Sequence, residues 1–153
     1  MSGALAGRRA LVTGGAKGIG RAIAGRLAAE GASIALIGRD EPALHHASRE
    51  MGAQFAVADV TDVHALTHAI EQLGPVDILV NNAGAASSRP FAKSDAAEWQ
   101  AMLSVNLVSV LAGCHAVLAG MVARGWGRIV NVASTAGLKG YAYTVAYCAA
   151  KHA

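Results

Sequence analysis

The stretch Thr13-Gly14-Gly15-Ala16-Lys17-Gly18-Ile19-Gly20 decides the fold that this sequence predicts. It lies between an apolar run over residues 10–12 and a helical pattern over residues 21–30, which indicates a strand, a glycine turn and a helix. Glycines at positions 14, 18 and 20 leave room for backbone amides to approach a pyrophosphate, and a helix N-terminus adds unpaired N–H groups. A tight strand-to-helix turn is the alternative, because the first two glycines are separated by three residues and not by the usual one.

Length and composition indicate a globular chain. Of the 153 residues, 54% are hydrophobic and 15% are charged, which suits one domain with extensive burial. The formal net charge is +3 and the basic residues are scattered, so nothing favours nucleic acid as a partner. The cysteines Cys114 and Cys148 form no close pair, and residues 1–9 contain no long apolar stretch, so we expect reduced thiols in a cytoplasmic protein.

Five apolar runs alternate with helical patterns along the chain. This alternation predicts an α/β fold, a doubly wound parallel sheet with helices on both faces, because crossovers between parallel strands are right-handed. Ligands of such sheets bind at the carboxyl ends of the strands. The predicted strands cover residues 9–13, 33–37, 54–57, 77–80 and 128–132.

The residues that follow the second predicted strand favour a phosphorylated cofactor. A ribose 2′-phosphate is bound by cations, whereas a free 2′-hydroxyl is bound by a carboxylate at this strand end. Here Gly38 ends the strand, Arg39 follows it, and Lys17 of the glycine turn is expected close by. The pattern favours NADP(H), with NAD(H) as the alternative. It is also open that Arg39 is an ordinary solvated residue and that Asp40 caps the next helix.

Two further strand ends carry candidate cofactor contacts. After the third strand, we predict that Asp59 accepts a hydrogen bond from an adenine amino group and that Val60 faces the ring, while Thr61 or Asp62 caps the next helix. After the fourth strand, residues 81–84 read Asn-Asn-Ala-Gly. Their small side chains let the backbone pass close to a cofactor and their amides can bridge strands, although a simple turn would use similar residues.

Residues 101–123 contain no charged side chain and match a membrane span in length. Polar residues such as Asn106 interrupt this stretch, and it lies within the strand and helix alternation, so we predict no membrane segment. A helix that is apolar on nearly all sides is better explained by burial against the sheet on one side and against another subunit on the other. We therefore expect a homo-oligomer.

Tyr147 and Lys151 are four residues apart, which places them on one face of a helix. A tyrosine hydroxyl has an ordinary pKa of about 10, so it needs a neighbouring cation to share its proton at neutral pH. Ser134, at the tip of the fifth predicted strand, is placed to hold a substrate carbonyl, and Tyr141 and Tyr143 are predicted to be pocket wall. A tyrosine and lysine at this spacing also occur by accident on helix surfaces.

A metal site is the remaining alternative, because His64 and His68 are four residues apart on a predicted helix. No third ligand is evident near them in the sequence, and such pairs are usually solvated. We therefore predict no metal.

Taken together, these residues make the chain resemble the short-chain dehydrogenase/reductase family from residue 8 to the end. The resemblance is carried by the glycine motif of residues 13–20, by residues 81–84, and by Asn106, Ser134 and Tyr147-x-x-x-Lys151. It implies a Rossmann-like sheet of strand order 3-2-1-4-5. It also implies an oxidoreductase that transfers a hydride between NADP(H) and a carbonyl or secondary alcohol, most similar to 3-oxoacyl reductases and 3-hydroxyacyl-CoA dehydrogenases.

The resemblance also implies a role for each site residue. Tyr147 is the general acid in ketone reduction and the base in alcohol oxidation, and Ser134 hydrogen-bonds the reacting oxygen. Lys151 binds the nicotinamide ribose and lowers the pKa of Tyr147, and Asn106 orders a water in the proton relay. The implied cofactor-binding residues are Gly14, Lys17, Gly18, Ile19, Gly20, Arg39, Asp59, Val60, Asn82, Tyr147 and Lys151.

The sequence departs from the family pattern after Lys151. Family members complete this helix and add further strands and helices, so we expect residues 1–153 to form one dinucleotide-binding domain that is incomplete at its C-terminus. The fifth strand is then an edge with open hydrogen-bonding groups. A truncated, non-catalytic nucleotide-binding fragment is the alternative function, and the expected oligomer contacts are the helix of residues 95–124 and the Tyr147 helix.

Overall fold

A computed structural model describes residues 3–153 and contains one five-stranded parallel sheet of order β3-β2-β1-β4-β5. The predicted fold class and strand order are confirmed, and each predicted strand boundary is met to within one residue. The chemical reason is that each strand is a short, mostly apolar run bounded by turn residues. The strands are β1 (Arg9–Thr13), β2 (Ser33–Gly38), β3 (Gln54–Val57), β4 (Ile78–Asn81) and β5 (Arg128–Asn131).

The helices that follow the first three strands begin at residues whose chemistry favours a helix start. α1 (Gly18–Ala29) begins inside the glycine turn. α2 (Glu41–Met51) is capped by Asp40, whose Oδ1 accepts a hydrogen bond from the Ala43 N–H at 3.0 Å. α3 (Val63–Leu73) is capped in the same way by Asp62. The capping alternative for Asp40 is confirmed, and Asp62, not Thr61, caps α3.

Alternate residues of the central strands separate two hydrophobic cores. Leu11 and Leu79 pack with side chains of α3 and of the long helix that precedes β5. Val12 and Val80 pack on the opposite face, with side chains of α1 and α2. This two-residue alternation is the burial pattern of a sheet covered on both faces. Because all strand pairs are parallel, the carboxyl ends of the strands lie at one edge of the sheet.

The apolar stretch before β5 is one helical segment with a wide turn inside it. It consists of α4 (Ala96–Leu103), a π-helical turn (Ser104–Val108) and α5 (Ser109–Ala123). By length and composition alone, Ala96–Ala123 could cross a membrane, a test that the core helix of a globular protein also passes. Its inner face lies against the sheet, where Gly113, Val117 and Met121 are buried, which confirms the predicted sheet contact. The predicted contact with a second subunit stays a prediction.

The outer face of α5 and the strand beyond β4 are exposed. The largest exposed apolar side chains of α5 are Leu111, Leu118 and Val122, which are 59%, 53% and 71% accessible. Among residues 3–153, β5 pairs with β4 alone and all four of its residues are exposed, which agrees with the predicted edge position. The last element, α6 (Val145–His152), packs on α4 through Ala146, Ala150 and Met102.

Candidate active site

The glycine turn between β1 and α1 excludes side chains from the end of the sheet. Gly14 and Gly18 have φ angles of +64° and +51°, in the left-handed region that glycine adopts without strain. A Cβ on Gly20 would lie 2.3 Å from the Gly14 carbonyl oxygen, and a Cβ on Gly18 would meet nothing within 4 Å. The turn is therefore closed toward the sheet and open toward solvent, which fits a pyrophosphate held by backbone N–H groups.

Asn82 fastens the end of β4 to this turn. Its side-chain amide donates to the carbonyl oxygens of Thr13 at 2.9 Å and Gly14 at 3.3 Å. Its backbone N–H donates to the Thr13 hydroxyl at 3.1 Å, and the neighbouring Asn81 amide donates to Asn131 Oδ1 of β5 at 2.9 Å. Both asparagines thus bridge neighbouring strands, as predicted, while a cofactor contact through Asn82 stays a prediction.

A cavity of about 160 Å³ lies beside the glycine turn and brings together Gly14, Arg39, Asp59 and Val60. Asp59 Oδ1 accepts hydrogen bonds from the backbone N–H and the hydroxyl of Thr61, and Asp59 Oδ2 lies 3.3 Å from Arg39 Nη1. The Thr61 N–H bond, then the Thr61 hydroxyl and the Arg39 charge, lower the pKa of Asp59 below its ordinary value. Asp59 is therefore an ionised hydrogen-bond acceptor at this cavity.

Lys17 also has a carboxylate partner, which the sequence analysis did not predict. Its Nζ donates to Asp40 Oδ2, and the side chains of Lys17 and Asp40 are 70% and 48% accessible. The hydrogen bond from Lys17, together with the Ala43 N–H, lowers the pKa of Asp40. Each cation expected to bind a 2′-phosphate is therefore paired with an acid, and only Arg39 lines the cavity beside Gly14.

A second cavity, of about 360 Å³, brings the remaining candidates together. The four residues to which the resemblance gives a chemical role come from three different elements and line this one space. Ile19 and Asn82 of the nucleotide side line it too. The lining residues with a candidate role in the chemistry are Asn106, Ser134, Tyr147 and Lys151.

The end of β5 and the start of α6 are held together around this cavity. Ser134 Oγ accepts from the Ala136 N–H at 3.1 Å and so caps a short 3₁₀ turn. Lys151 Nζ donates to the Val132 carbonyl oxygen at 3.2 Å. A Cβ on Gly137 would lie 2.4 Å from the Lys151 carbonyl oxygen, so the 3₁₀ turn and α6 approach each other as closely as backbone permits.

Asn106 lies in the π-helical turn and is 6% accessible. Its amide nitrogen donates to the carbonyl oxygens of Ala85 at 2.9 Å and Met102 at 3.0 Å, whereas its buried Oδ1 has no hydrogen-bond partner. A Cβ on Gly84 would lie 2.9 Å from this oxygen and 3.8 Å from Lys151 Nζ. A buried acceptor without a partner is rare in proteins, so this wall of the cavity fits a donor from water or a ligand.

Tyr143 has an unusual backbone conformation that the sequence does not predict, and the prediction that it and Tyr141 form pocket wall is wrong for the cavity of the candidate residues. Within residues 3–153 it is the one residue other than glycine with a positive φ, +63°, a conformation that is strained for a tyrosine. Its carbonyl oxygen accepts from the Arg89 N–H at 2.7 Å, which ties the loop after β4 to the segment before α6. Neither Tyr143 nor Tyr141 lines the 360 Å³ cavity, and the Tyr141 hydroxyl instead donates to Thr135 Oγ1 at 2.9 Å.

The histidine pair on α3 has no further metal ligand beside it among the described residues. His64 and His68 are separated by one helical turn, and the His68 ring contacts the Gln72 amide at 3.0 Å. Over the described part of the chain, no group of three or more His, Cys, Asp or Glu residues is placed to hold a metal ion. The cysteines Cys114 and Cys148 are both free thiols, as predicted.

Comparisons with known proteins extend over nearly the whole chain. A family model described as short chain dehydrogenase matches residues 8–153. The L-xylulose reductase of Bos taurus is 42% identical over 151 residues, which are 97% of this chain and 62% of that protein. A ketoacyl reductase provisionally assigned to the granaticin polyketide synthase of Streptomyces violaceoruber is 42% identical over 154 residues, which are 94% of this chain and 57% of that protein.

Solved structures agree with these matches. A structure from Beutenbergia cavernae, provisionally named an NAD(P)-dependent gluconate 5-dehydrogenase and containing NADP at low occupancy, superposes with a TM-score of 0.92 at 36% identity. The match covers 97% of this chain and 62% of that one. This chain thus spans less than two thirds of the length of the relatives that it matches.

Proposed function

Because this chain belongs to the short-chain dehydrogenase/reductase family, we propose that it is an oxidoreductase that transfers a hydride between NADP(H) and a carbonyl or secondary alcohol. The observation that carries the proposal is the 360 Å³ cavity lined by Asn106, Ser134, Tyr147 and Lys151. We further propose that residues 1–153 act as one dinucleotide-binding domain.

A nicotinamide dinucleotide supplies the hydride for reduction, or accepts it in oxidation, when it is bound. Tyr147 would give its hydroxyl proton to the carbonyl oxygen during reduction and take it back during oxidation. Lys151, one turn further along α6, would favour the phenolate through its positive charge, and the Val132 carbonyl oxygen fixes its position. Ser134 would donate a hydrogen bond to the reacting oxygen, and Asn106 Oδ1 would accept one from a relay water.

The nucleotide side of the sheet supports a phosphorylated cofactor. The backbone N–H groups of Gly18, Ile19 and Gly20, in the first turn of α1, would hold the pyrophosphate, while Gly14 lines the adjoining cavity and its N–H donates to the Ile37 carbonyl oxygen. Asp59 and Val60 would contact the adenine, and Arg39 would bind the 2′-phosphate. Ile19 and Asn82, which line the larger cavity, would contact the nicotinamide half.

Replacing Arg39 with Asp is expected to move cofactor preference from NADPH toward NADH. The change removes a cation from the 2′-phosphate position and adds a like charge, so the ratio of the two dissociation constants should shift by about tenfold or more, or about 1.4 kcal/mol. Titration of NADPH and NADH into the purified protein, followed by nicotinamide fluorescence, measures this ratio. The control is Arg49→Asp, an equal charge change at an exposed position on α2. An unaltered ratio in Arg39→Asp would refute the cofactor assignment.

The substrate belongs to the carbonyl and alcohol class, and a 3-oxoacyl thioester is our leading candidate. The named relatives include a ketose reductase and a ketoacyl reductase, so the family match alone does not choose between them. NADPH oxidation measured against a ketose and against a 3-oxoacyl thioester distinguishes the two. Turnover of the ketose alone would overturn the thioester candidate.

Cofactor binding without turnover is the second candidate function. The exposure of all four β5 residues favours it, because the cavity residues Val132 and Ser134 directly follow this strand. Saturable NADPH binding together with no turnover of any tested carbonyl would support this alternative. Turnover that depends on Tyr147 would exclude it.

We also propose a cytoplasmic homo-oligomer that buries the outer face of α5 and part of α6. Leu118→Glu should convert the oligomer to monomer, because a carboxylate in an apolar interface is costly to desolvate. Sedimentation velocity measures the change. Val63→Glu, at an exposed apolar position where α3 begins, is the matched control and should leave the assembly intact. A wild-type chain that sediments as a monomer would disprove the proposed assembly.

A further inference from the structure

Asp40 makes two contacts at once, one with each carboxylate oxygen. Its Oδ1 accepts from the Ala43 N–H at 3.0 Å and thereby caps α2, which holds the carboxylate in place. Its Oδ2 accepts from Lys17 Nζ, which comes from the glycine turn on the other side of β2 in the chain. The cap therefore presents a fixed anion to a flexible lysine.

The second ion pair of the nucleotide site is arranged differently. Arg39 and Asp59 both line the cavity beside Gly14, and their contact of 3.3 Å keeps the guanidinium at that cavity. The Asp59 carboxylate also accepts two hydrogen bonds from Thr61, so Arg39 is not its sole partner. Lys17 and Asp40 do not line this cavity. The ammonium group of Lys17 is therefore ion-paired with Asp40 outside it.

We propose that Asp40 is a specificity-determining residue: it occupies Lys17 as an internal anion, and a ribose 2′-phosphate must displace it before Lys17 can bind the phosphate. This inference rests on the proposed NADP(H) function. A carboxylate and a phosphate compete for one ammonium group, and the displaced carboxylate then repels the nearby phosphate. NAD(H) has no 2′-phosphate and can bind without displacing Asp40 from Lys17, so Asp40 weakens the binding of NADP(H) and not that of NAD(H).

The charge of Asp40 is present throughout the neutral range. The hydrogen bonds from Lys17 and from the Ala43 N–H lower its pKa, so the carboxylate stays ionised at any pH used for cofactor binding. Both side chains are largely exposed, so solvent and salt screen the pair, and exposed pairs contribute little energy. Lys17 can therefore leave Asp40 for a competing 2′-phosphate at a small cost in free energy.

The test is the variant Asp40→Asn, which removes the charge and keeps a side chain that caps helices equally well. We expect the dissociation constant for NADPH to fall by about three- to tenfold. Loss of the exposed ion pair between Lys17 and Asp40 accounts for up to about fivefold of this fall, and loss of the repulsion between Asp40 and the 2′-phosphate accounts for the rest. The constant for NADH should not change. Nicotinamide fluorescence titration measures both, and a thermal melt verifies that α2 remains folded.

Asp62→Asn is the matched control for capping. Asp62 caps α3 through the Ala65 N–H at 3.0 Å, as Asp40 caps α2, and it has no ion pair among the described residues. The substitution should leave both cofactor affinities unchanged. A fall in the NADPH constant in this variant would overturn the inference, because it would then reflect net charge in general.

Lys17→Met, alone and combined with Asp40→Asn, tests whether the effect passes through the lysine. With Lys17 removed, Asp40→Asn should improve NADPH binding by less than about twofold, the remaining part being relief of repulsion. A full gain without Lys17 would overturn the competition, and so would an unchanged NADPH constant in Asp40→Asn when the wild type binds NADPH. If no variant binds either cofactor, the proposed function fails as well, so the two failures are distinguishable.

Discussion

Replacing Tyr147 with Phe is expected to reduce carbonyl turnover by at least about 10²-fold, the lower range for losing a positioned general acid, while NADPH binding stays within about twofold. Phenylalanine keeps the ring that packs against the cluster of Met102, Ala146 and Ala150, and removes only the hydroxyl that would exchange the proton. The expected loss is therefore in kcat, with little change in the cofactor dissociation constant.

NADPH oxidation at saturating carbonyl substrate measures the kcat effect, and fluorescence titration measures binding. Tyr141→Phe is the matched control, because it deletes the same hydroxyl from a tyrosine whose partner is Thr135 and which does not line the cavity. It should retain turnover to within a few-fold. Equal turnover in Tyr147→Phe and wild type would reject Tyr147 as the general acid, even if the cofactor still binds.

Replacing Gly20 with Ala is expected to have the largest effect on cofactor binding. The new Cβ would lie 2.3 Å from the Gly14 carbonyl oxygen and 2.4 Å from the Asn82 amide nitrogen. The carbonyl belongs to backbone, and the amide is held by Thr13, so neither can move without opening the turn. We expect a destabilisation of about 1–3 kcal/mol, typical of overpacking, and loss of saturable NADPH binding.

Gly25→Ala is the control for the Gly20 variant, since it places the same methyl on the same helix. A Cβ on Gly25 would meet nothing within 4 Å, and alanine favours a helix interior by about 1 kcal/mol over glycine. This variant should bind NADPH normally and unfold at a higher urea concentration. Normal binding in Gly20→Ala as well would show that the turn is not the pyrophosphate site.

The strands, their order along the chain and the glycine turn could be predicted from the sequence because their causes are local. Apolar runs such as residues 10–12 can be buried only as short strands between turns, and glycines at fixed offsets mark where side chains are excluded. The spacing of Tyr147 and Lys151 places both on one face of a helix. The strand order came from resemblance to a known family, and the structure confirms it.

The charge pairing of the nucleotide site was decided by the tertiary structure alone. Lys17 meets Asp40, and Arg39 meets Asp59, across separations of 23 and 20 residues. Such contacts depend on how β1, β2 and β3 lie side by side, and a sequence lists charges without their distances. Arg39 and Lys17 therefore look equivalent in the sequence, whereas in the fold only Arg39 lines the cavity beside Gly14.

The catalytic side shows the same division between local pattern and packing. The sequence by itself identified the candidate residues for the chemistry, because the hydroxyl, ammonium and amide groups of Ser134, Lys151 and Asn106 are visible in it. The tertiary structure decided that these groups share one cavity and that a π-helical turn buries the Asn106 oxygen without a partner. It also decided the strained backbone of Tyr143. The physical reason is that both the turn and the strain are imposed by packing between elements distant in the chain, and no residue pattern encodes them.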